Sequence, residues 1–172
     1  MRIGITGHQR LNDDSAWSWV EQAIGGLLDR QPRPVVGVTC LAVGADQIFA
    51  RLVLERGGDL YVVVPFPGYE RSFQEQHGRE EYKRLLGRSS EVETLPPQAT
   101  DEESYFAAGK RVVDLSEVML AVWNGEEAAG LGGTGDVVAY ALTHGRRIHH
   151  INPVTKETSE LTQSSHGGAP GS

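Results

Sequence analysis

The sequence has little cysteine, no long apolar run and few positive charges for its length. Its single cysteine, Cys40, excludes an internal disulfide, as is typical of proteins from a reducing compartment. No apolar run approaches the roughly 20 residues that span a bilayer. The first residues, Met1 to Thr6, turn polar before the apolar region of a signal peptide would end. We therefore expect a cytoplasmic protein without a membrane partner.

Basic side chains are outnumbered by acidic ones. The chain has 16 Lys and Arg against 23 Asp and Glu, which gives a formal net charge of −7. Binding along a nucleic-acid backbone requires a basic face that neutralises phosphates. The composition therefore predicts no nucleic-acid partner, although a local pocket for a small anion stays compatible with it. No His/Cys cluster has the spacing of a zinc site, so we predict neither a metal nor a cofactor.

Strands and helices alternate along the chain. At 172 residues the length suits one domain with a single sizeable core. Short, continuous apolar runs predict buried strands at residues 2–6, 35–40, 60–64, 118–123 and 148–151, with helical patterns between them. This alternation predicts an α/β protein with a Rossmann-like, doubly wound, mainly parallel sheet and helices on both faces.

The predicted domain covers residues 1–153. Residues 154–172 are rich in Ser, Thr, Gly and Pro, and this composition predicts a disordered tail.

A dense glycine stretch, Gly130-Leu131-Gly132-Gly133-Thr134-Gly135-Asp136, lies between the fourth predicted strand and a helix-like segment at 137–142. Glycine lets the backbone approach a ligand closely, and the free N–H groups at a helix start attract anions. The stretch therefore predicts a phosphate site. The alternative is a tight strand-to-helix turn that needs glycine only for its dihedral angles.

Two further loops leave the carboxyl ends of predicted strands, at residues 7–10 and 41–46. A doubly wound sheet gathers such loops at one edge, where ligands bind. The loop at 130–136 would join them there. The first strand lacks the Gly-x-Gly-x-x-Gly of dinucleotide-binding enzymes, and no Gly-Lys-Ser/Thr marks a nucleoside-triphosphate loop.

The side chains on these loops have two interpretations each. The hydroxyls of Thr6 and Thr134 would contact phosphate or ribose, or cap local backbone. His8 and Arg10 would contact phosphate or base, or be ordinary polar loop residues. A carboxylate repels phosphate, so Asp46 and Asp136 are assigned to ribose contact or to helix capping. The predicted ligand-binding set is Thr6, Gly7, His8, Arg10, Gly44, Asp46, Gly132, Gly133, Thr134, Gly135 and Asp136.

Two aromatic residues near these loops, Tyr69 and Trp123, are candidates to stack on a base, with core packing as the alternative use of Trp123.

Four motifs, taken in order, resemble the SLOG superfamily: Gly4-Ile5-Thr6-Gly7-His8, Leu41-Ala42-Val43-Gly44-Ala45-Asp46, Ala121-Val122-Trp123-Asn124-Gly125 and Gly132-Gly133-Thr134-Gly135-Asp136. The superfamily includes lonely-guy phosphoribohydrolases, DNA-processing protein A and the nucleotide-sensing domains of TRPM channels and bacterial defence proteins. The resemblance covers about residues 1–152. It implies a Rossmann-like fold that binds a nucleotide or nucleotide-derived ligand, often as a homodimer.

The lonely-guy motif, Pro-Gly-Gly-x-Gly-Thr-x-x-Glu with an arginine on the preceding helix, is only partly matched. The glycine core is present, and Lys110 or Arg111 would supply the cation, but the glutamate position falls on Ala139, with Val138 before it. Neither side chain ionises, whereas glycosidic cleavage favours a carboxylate beside the sugar.

The resemblance therefore favours a sensor or binding module for an ADP-ribose-like ligand or a nucleoside monophosphate, serving a separate effector protein. The alternative is a nucleoside 5′-monophosphate phosphoribohydrolase, an N-glycosidase in which Arg111 and Asp136 would be catalytic. A DNA-binding role on the same fold is disfavoured by the acidic composition.

Overall fold

The computed structural model describes residues 1–127 and 130–163. In this part of the chain, seven strands alternate with five α-helices, and a short 3-10 turn (Tyr69–Ser72) follows the third strand. The elements are β1 (Arg2–Gly7), α1 (Ala16–Asp29), β2 (Val36–Thr39), α2 (Ala45–Glu55), β3 (Asp59–Val64), α3 (Gln76–Leu86), β4 (Glu91–Thr94), α4 (Asp101–Leu115), β5 (Val118–Val122), α5 (Thr134–Thr143), β6 (Arg147–Asn152) and β7 (Glu157–Leu161).

The strands form one sheet in the order β4-β3-β2-β1-β5-β6-β7. All neighbours pair in parallel except β6 and β7, which are antiparallel. The direction in which the chain adds strands reverses at β1, because β1 has β2 on one side and β5 on the other. Such a reversal opens a crevice at the carboxyl ends of the two strands on either side. The predicted Rossmann-like α/β fold is confirmed.

Both faces of the sheet are covered, which explains the continuous apolar runs. Successive residues of a strand point to opposite faces, and β5 shows this directly. Leu120 and Val122 pack into a core beneath α1, α2 and α3, whereas Met119 and Ala121 pack into a second core beneath α4 and α5. All five residues of β5 are buried.

The last two helices set the position of the glycine stretch. Helix α4 begins with a capping box, in which the Thr100 hydroxyl accepts from Glu103 N–H and the Glu103 carboxylate accepts from Thr100 N–H. Helix α5 packs against α4 where a glycine allows close approach, since a Cβ on Gly109 would lie 2.7 Å from Cγ2 of Val137. The start of α5 is therefore held next to α4.

The sheet extends beyond the predicted domain end at residue 153. Strand β7 pairs with β6 from Asn152↔Glu157 to Ile148↔Leu161, so the expectation of disorder is wrong for residues 157–161. The reversal is stabilised by the Asn152 side chain, whose oxygen accepts from the N–H groups of Val154 and Thr155. Residues 164–172 of the predicted tail lie outside the described residues.

In the described part of the chain, no helix is both long enough and apolar enough to cross a membrane.

Candidate functional site

A cleft of about 450 Å³ lies at the carboxyl ends of β1 and β5. Its walls are the loops that follow β1, β2 and β5, together with one side of α4 and the first turn of α5. Small-molecule sites typically occupy a few hundred Å³ and, in sheets of this kind, lie at the strand-order reversal. The cleft therefore has the position and the size of a ligand site.

The glycine stretch lines this cleft and carries backbone N–H groups without an acceptor in the described part of the chain. Gly133 is the residue preceding α5, and its carbonyl accepts from Asp136 and Val137 N–H. The N–H groups of Gly133, Thr134 and Gly135 have no acceptor among the described residues, and all three residues line the cleft. Free N–H groups and the positive end of the helix dipole together favour an anion here.

The conformation of the loop that carries these N–H groups is fixed by contacts with α4 and with Asp136. Gly132 has a φ of +86°, and a Cβ at this position would lie 2.9 Å from the Glu102 carbonyl oxygen. The Gly132 N–H donates to the Asp136 carboxylate at 2.9 Å. Asp136 thus holds the loop in place instead of facing a ligand.

The loop after β1 contributes His8, which joins the carboxyl ends of β1 and β5. The ring Nε2 of His8 accepts from the Asn124 backbone N–H at 3.1 Å, and the backbone N–H of His8 donates to the Val122 carbonyl oxygen. Burial lowers the pKa of His8. The ring is therefore neutral near pH 7 and carries its proton on Nδ1, which leaves one ring N–H as a donor.

Two glycines, Gly7 at the end of β1 and Gly44 before α2, let these two segments pack closely. A Cβ on Gly7 would lie 2.6 Å from Cβ of Ala45, and a Cβ on Gly44 would lie 2.6 Å from the His8 carbonyl oxygen. Gly44 also has a φ of +84°. Gly44 does not line the cleft, so its role is to let the loop after β1 pack against the start of α2.

Asp46 is a buried carboxyl group in the cleft wall, with 7% of the residue exposed. Burial raises its pKa to about 7, even though the N–H groups of Ala42 and Cys40 and the Thr39 hydroxyl, at 3.2 Å, act in the opposite direction. The carboxyl group therefore changes its protonation near neutral pH, a property that recurs at functional sites. Burial also raises the pKa of the neighbouring Cys40 thiol, which keeps it unreactive.

Charged side chains around the cleft are mainly acidic. Asp46, Glu126 and Glu127 line it, whereas no Lys or Arg of the described residues does. The Arg10 guanidinium is exposed and pairs with Glu75 at 3.1 Å. Any anion in the cleft must therefore be held by backbone N–H groups and neutral donors.

Two aromatic side chains of the cleft, Trp123 and Tyr69, differ in whether their polar group has a hydrogen-bond partner. Trp123 donates its indole N–H to the Glu126 carbonyl at 2.8 Å and lies with its ring centroid 5.3 Å from that of His150. Tyr69 is only 6% exposed, and its hydroxyl has no hydrogen-bond partner among the described residues. The Tyr69 hydroxyl is not among the fully buried polar atoms that lack a partner, so it keeps access to solvent and is available to hydrogen-bond a ligand.

Most of the predicted ligand-binding residues come together in the cleft: Thr6, Gly7, His8, Asp46, Gly132, Gly133, Thr134 and Gly135. Four predicted residues do not line it. Gly44 and Asp136 act within the loops as described, and Arg10 borders a neighbouring depression. Arg111, on the far side of α4, pairs its Nε with the Glu93 carboxylate at 3.0 Å. The predicted catalytic pair of Arg111 and Asp136 is therefore not assembled.

Other cleft residues were absent from the prediction. Asn124 and Glu126 follow β5 and line the cleft beside His8. Their position after the carboxyl end of a buried strand is the signal that would have indicated them. No group of three or more His, Cys, Asp or Glu side chains within residues 1–127 and 130–163 is arranged to hold a metal ion.

Solved structures with the same fold are distant in sequence. The X-ray structure of DNA processing protein A from Streptococcus pneumoniae has a TM-score of 0.62 and 17% identity, over 87% of this chain and 49% of that one. The Helicobacter pylori protein has a TM-score of 0.58 and 15% identity, over 87% and 64%. The molybdenum cofactor carrier protein of Chlamydomonas reinhardtii has a TM-score of 0.50 and 15% identity, over 87% of this chain and 74% of that one.

These likenesses establish the fold alone, a Rossmann-like fold that the chain shares with DNA processing protein A. The chain spans about half to two thirds of the length of the two DNA processing proteins. No protein-family model and no curated protein matches the chain.

One expectation is overturned by the comparison. The Helicobacter pylori structure describes a single-stranded DNA binding mode of its protein. The exclusion of a nucleic-acid partner, which rested on the net charge of −7, is therefore wrong. Net charge describes the whole surface, whereas binding depends on one face of it.

Proposed function

From the SLOG-type Rossmann-like fold and the geometry of its cleft, we propose that the protein binds a nucleotide with a single phosphate at the amino end of α5. The observation that carries this proposal is the set of N–H groups of Gly133, Thr134 and Gly135, which have no acceptor among the described residues and belong to residues that line a cleft at the strand-order reversal. Hydrogen bonds to a charged group contribute about 1.5–3 kcal/mol each, so two or three of them suffice for a phosphate.

The charge of the cleft limits the ligand to few phosphates. Two unit charges about 6 Å apart interact by roughly 3 kcal/mol at an effective dielectric constant of 20, before screening by salt. Glu126 and Glu127 would repel each further phosphate, and no described Lys or Arg of the cleft offsets this. The proposal therefore favours a nucleoside monophosphate, or one nucleotide unit of a strand, over a nucleoside triphosphate.

The neutral donors around the phosphate site suit the sugar. The hydroxyls of Thr6 and Thr134 line the cleft and have no partner among the described residues. The Asp46 carboxyl group, with its pKa of about 7, accepts hydrogen bonds when it is ionised and also donates one when it is protonated. These groups match the hydroxyls of ribose or deoxyribose, which also donate and accept.

Thermal shift is the first experiment, with AMP, ribose 5-phosphate, ATP and a short single-stranded oligonucleotide as separate ligands. A ligand at about 100 times its Kd stabilises the fold by roughly 2.7 kcal/mol, which raises the Tm of a domain of this size by about 5–11 °C. We expect AMP to raise the Tm more than ATP. An equal response to AMP and the oligonucleotide would show that a nucleotide unit is sufficient; a response to the oligonucleotide alone would assign the site to strands.

The affinity of a Gly133→Val variant tests whether the phosphate binds at the start of α5. Gly133 has φ −69° and ψ 172°, which any residue adopts, so the variant should fold while its side chain blocks the N–H groups. Loss of two charge-assisted hydrogen bonds predicts an affinity at least about 100-fold lower. Gly130→Val is the matched control, because a Cβ on Gly130 meets nothing within 4 Å. Equal affinities for the two variants would mean that the loop is only a turn.

Asp46 supports a second candidate function, cleavage of the N-glycosidic bond of a nucleoside monophosphate. A carboxyl group with a pKa of about 7 suits a general acid that protonates a leaving base. Under the binding proposal, no free base is released when the protein is incubated with nucleoside monophosphates and the products are separated by chromatography. Multiple turnovers that Asp46→Asn suppresses would replace binding by hydrolysis.

A further inference from the structure

A second depression adjoins the cleft on the side of the aromatic residues. It has a volume of about 380 Å³, and Gln9, Ala42, Tyr69 and Tyr105 border both spaces. A ligand whose phosphate lies at α5 can therefore extend past Tyr69 and Tyr105 into this depression. Arg10, Val43 and the segment 72–75 around Phe73 complete its wall.

The depression combines an aromatic surface with unpartnered amides. Tyr105 is partly exposed and packs edge-on against Tyr69, with ring centroids 6.2 Å apart. Phe73 lies 5.1 Å from Tyr69 in the same cluster. The exposed carboxamides of Gln9 and Gln74 have no hydrogen-bond partner in the described part of the chain.

These groups fit the chemistry of a nucleobase. A base has a π-face that stacks on a tyrosine ring, and an edge with both donors and acceptors. A carboxamide also offers both, and therefore pairs with such an edge. Tyr69 borders both spaces, and its hydroxyl has no hydrogen-bond partner among the described residues.

We infer that this depression is the base subsite: the base of the bound nucleotide lies against Tyr105, its edge meets the amides of Gln9 and Gln74, and the Tyr69 hydroxyl hydrogen-bonds the ligand where it passes between the two spaces. This inference rests on the proposed nucleotide function. It adds where the base lies and which residues discriminate a nucleotide from a sugar phosphate.

Calorimetric titrations with AMP and with ribose 5-phosphate test the inference, because AMP carries a base where ribose 5-phosphate carries the anomeric hydroxyl. In the unmodified protein, we expect AMP to bind at least tenfold more tightly than ribose 5-phosphate. Tyr105→Ala should weaken AMP binding roughly tenfold or more, the range of base–aromatic stacking. The same variant should bind ribose 5-phosphate unchanged, which also shows that it is folded. Tyr105→Phe, which keeps the ring, should retain the affinity for AMP.

Tyr69→Phe tests the hydroxyl at the junction. We expect AMP to bind several-fold more weakly while the Tm of the free protein stays equal or rises, since the lost hydroxyl has no partner among the described residues. Tyr82→Phe is the matched control. Tyr82 is buried against Tyr69 and Phe73 but borders neither space, so its variant should bind AMP normally.

The possible results distinguish a wrong base subsite from a wrong proposal of nucleotide binding. If ribose 5-phosphate binds in a manner that Gly133→Val abolishes, while Tyr105→Ala leaves the affinity for AMP intact, the base lies elsewhere and only the subsite is refuted. If neither AMP nor ribose 5-phosphate binds, the proposed function and the subsite are refuted together.

Discussion

The raised pKa of Asp46 predicts an unusual dependence of stability on pH. An aspartate has a pKa near 3.8 in the unfolded chain, whereas burial raises that of Asp46 to about 7 in the folded protein. Between these two values the folded state binds more protons than the unfolded state. The contribution of Asp46 to the free energy of unfolding therefore falls as pH rises from about 4 to about 7, and it levels off above that range.

The size of the effect follows from the two pKa values. A difference of about three units, at 1.36 kcal/mol per unit, corresponds to roughly 4 kcal/mol of stability lost between pH 4 and pH 7.5. Other titrating groups contribute over the same range, so the measured quantity is the difference between the unmodified protein and Asp46→Asn. Asparagine keeps the shape of the side chain and does not titrate.

Urea unfolding at half-unit steps of pH provides the measurement, followed by fluorescence of the three tryptophans. We expect the stability of the unmodified protein relative to Asp46→Asn to decline steadily from pH 4 and to level off above pH 7.5. A difference that stays constant over this range would show that the carboxyl group titrates normally. The account of the Asp46 environment would then be wrong.

Three further predictions concern other positions. Gly132→Ala should lower the free energy of unfolding by about 1–3 kcal/mol in urea titrations, because φ is +86° and the Glu102 carbonyl is close; a neutral effect would contradict this loop geometry. Arg111→Met should leave the Kd for AMP within twofold in calorimetry, since its guanidinium pairs with Glu93; a large loss would return Arg111 to the site. Stability relative to His8→Gln should fall as pH drops below 6.5 in urea titrations, because burial lowers the pKa of His8 and its protonation breaks the bond from Asn124; a flat difference would refute the assigned tautomer.

The sequence was sufficient to predict the elements that form the site. Strands with continuous apolar residues, such as 118–122, are buried on both faces, and the apolar run predicts this. Because parallel strands end at one edge, the loops at 7–10, 41–46 and 130–136 had to meet there. The structure confirms the fold on which this argument depends.

The orientation of individual side chains was not predictable in the same way. Arg111 was considered for the site because it lies on the helix before β5, but Gly109 and Val112 face the cleft. Residue 111 is two positions from 109, about 200° around the helix, so its side chain points to Glu93. The Asp136 carboxylate folds back to Gly132 N–H, a contact that only the loop conformation defines.

Strand β7 was missed because it lacks the pattern of a buried strand. Four of its five residues are exposed, and Glu157-Thr158-Ser159-Glu160 has no apolar alternation. Edge strands are commonly polar, and their backbone pairing stabilises them without burying side chains. Composition alone therefore predicted a disordered tail, whereas residues 157–161 pair with β6.

The central claim, that the free N–H groups at the start of α5 bind the phosphate of a nucleotide, is tested most directly by amide resonances. In a ¹⁵N-labelled sample titrated with ribose 5-phosphate and then with AMP, new hydrogen bonds to phosphate predict saturable downfield shifts of the amide protons of Gly133, Thr134 and Gly135. Both ligands should produce these shifts, while the amide proton of Gly145, at the far end of α5, stays in place. Shifts confined to other residues, or no shift at millimolar ligand, would contradict the account.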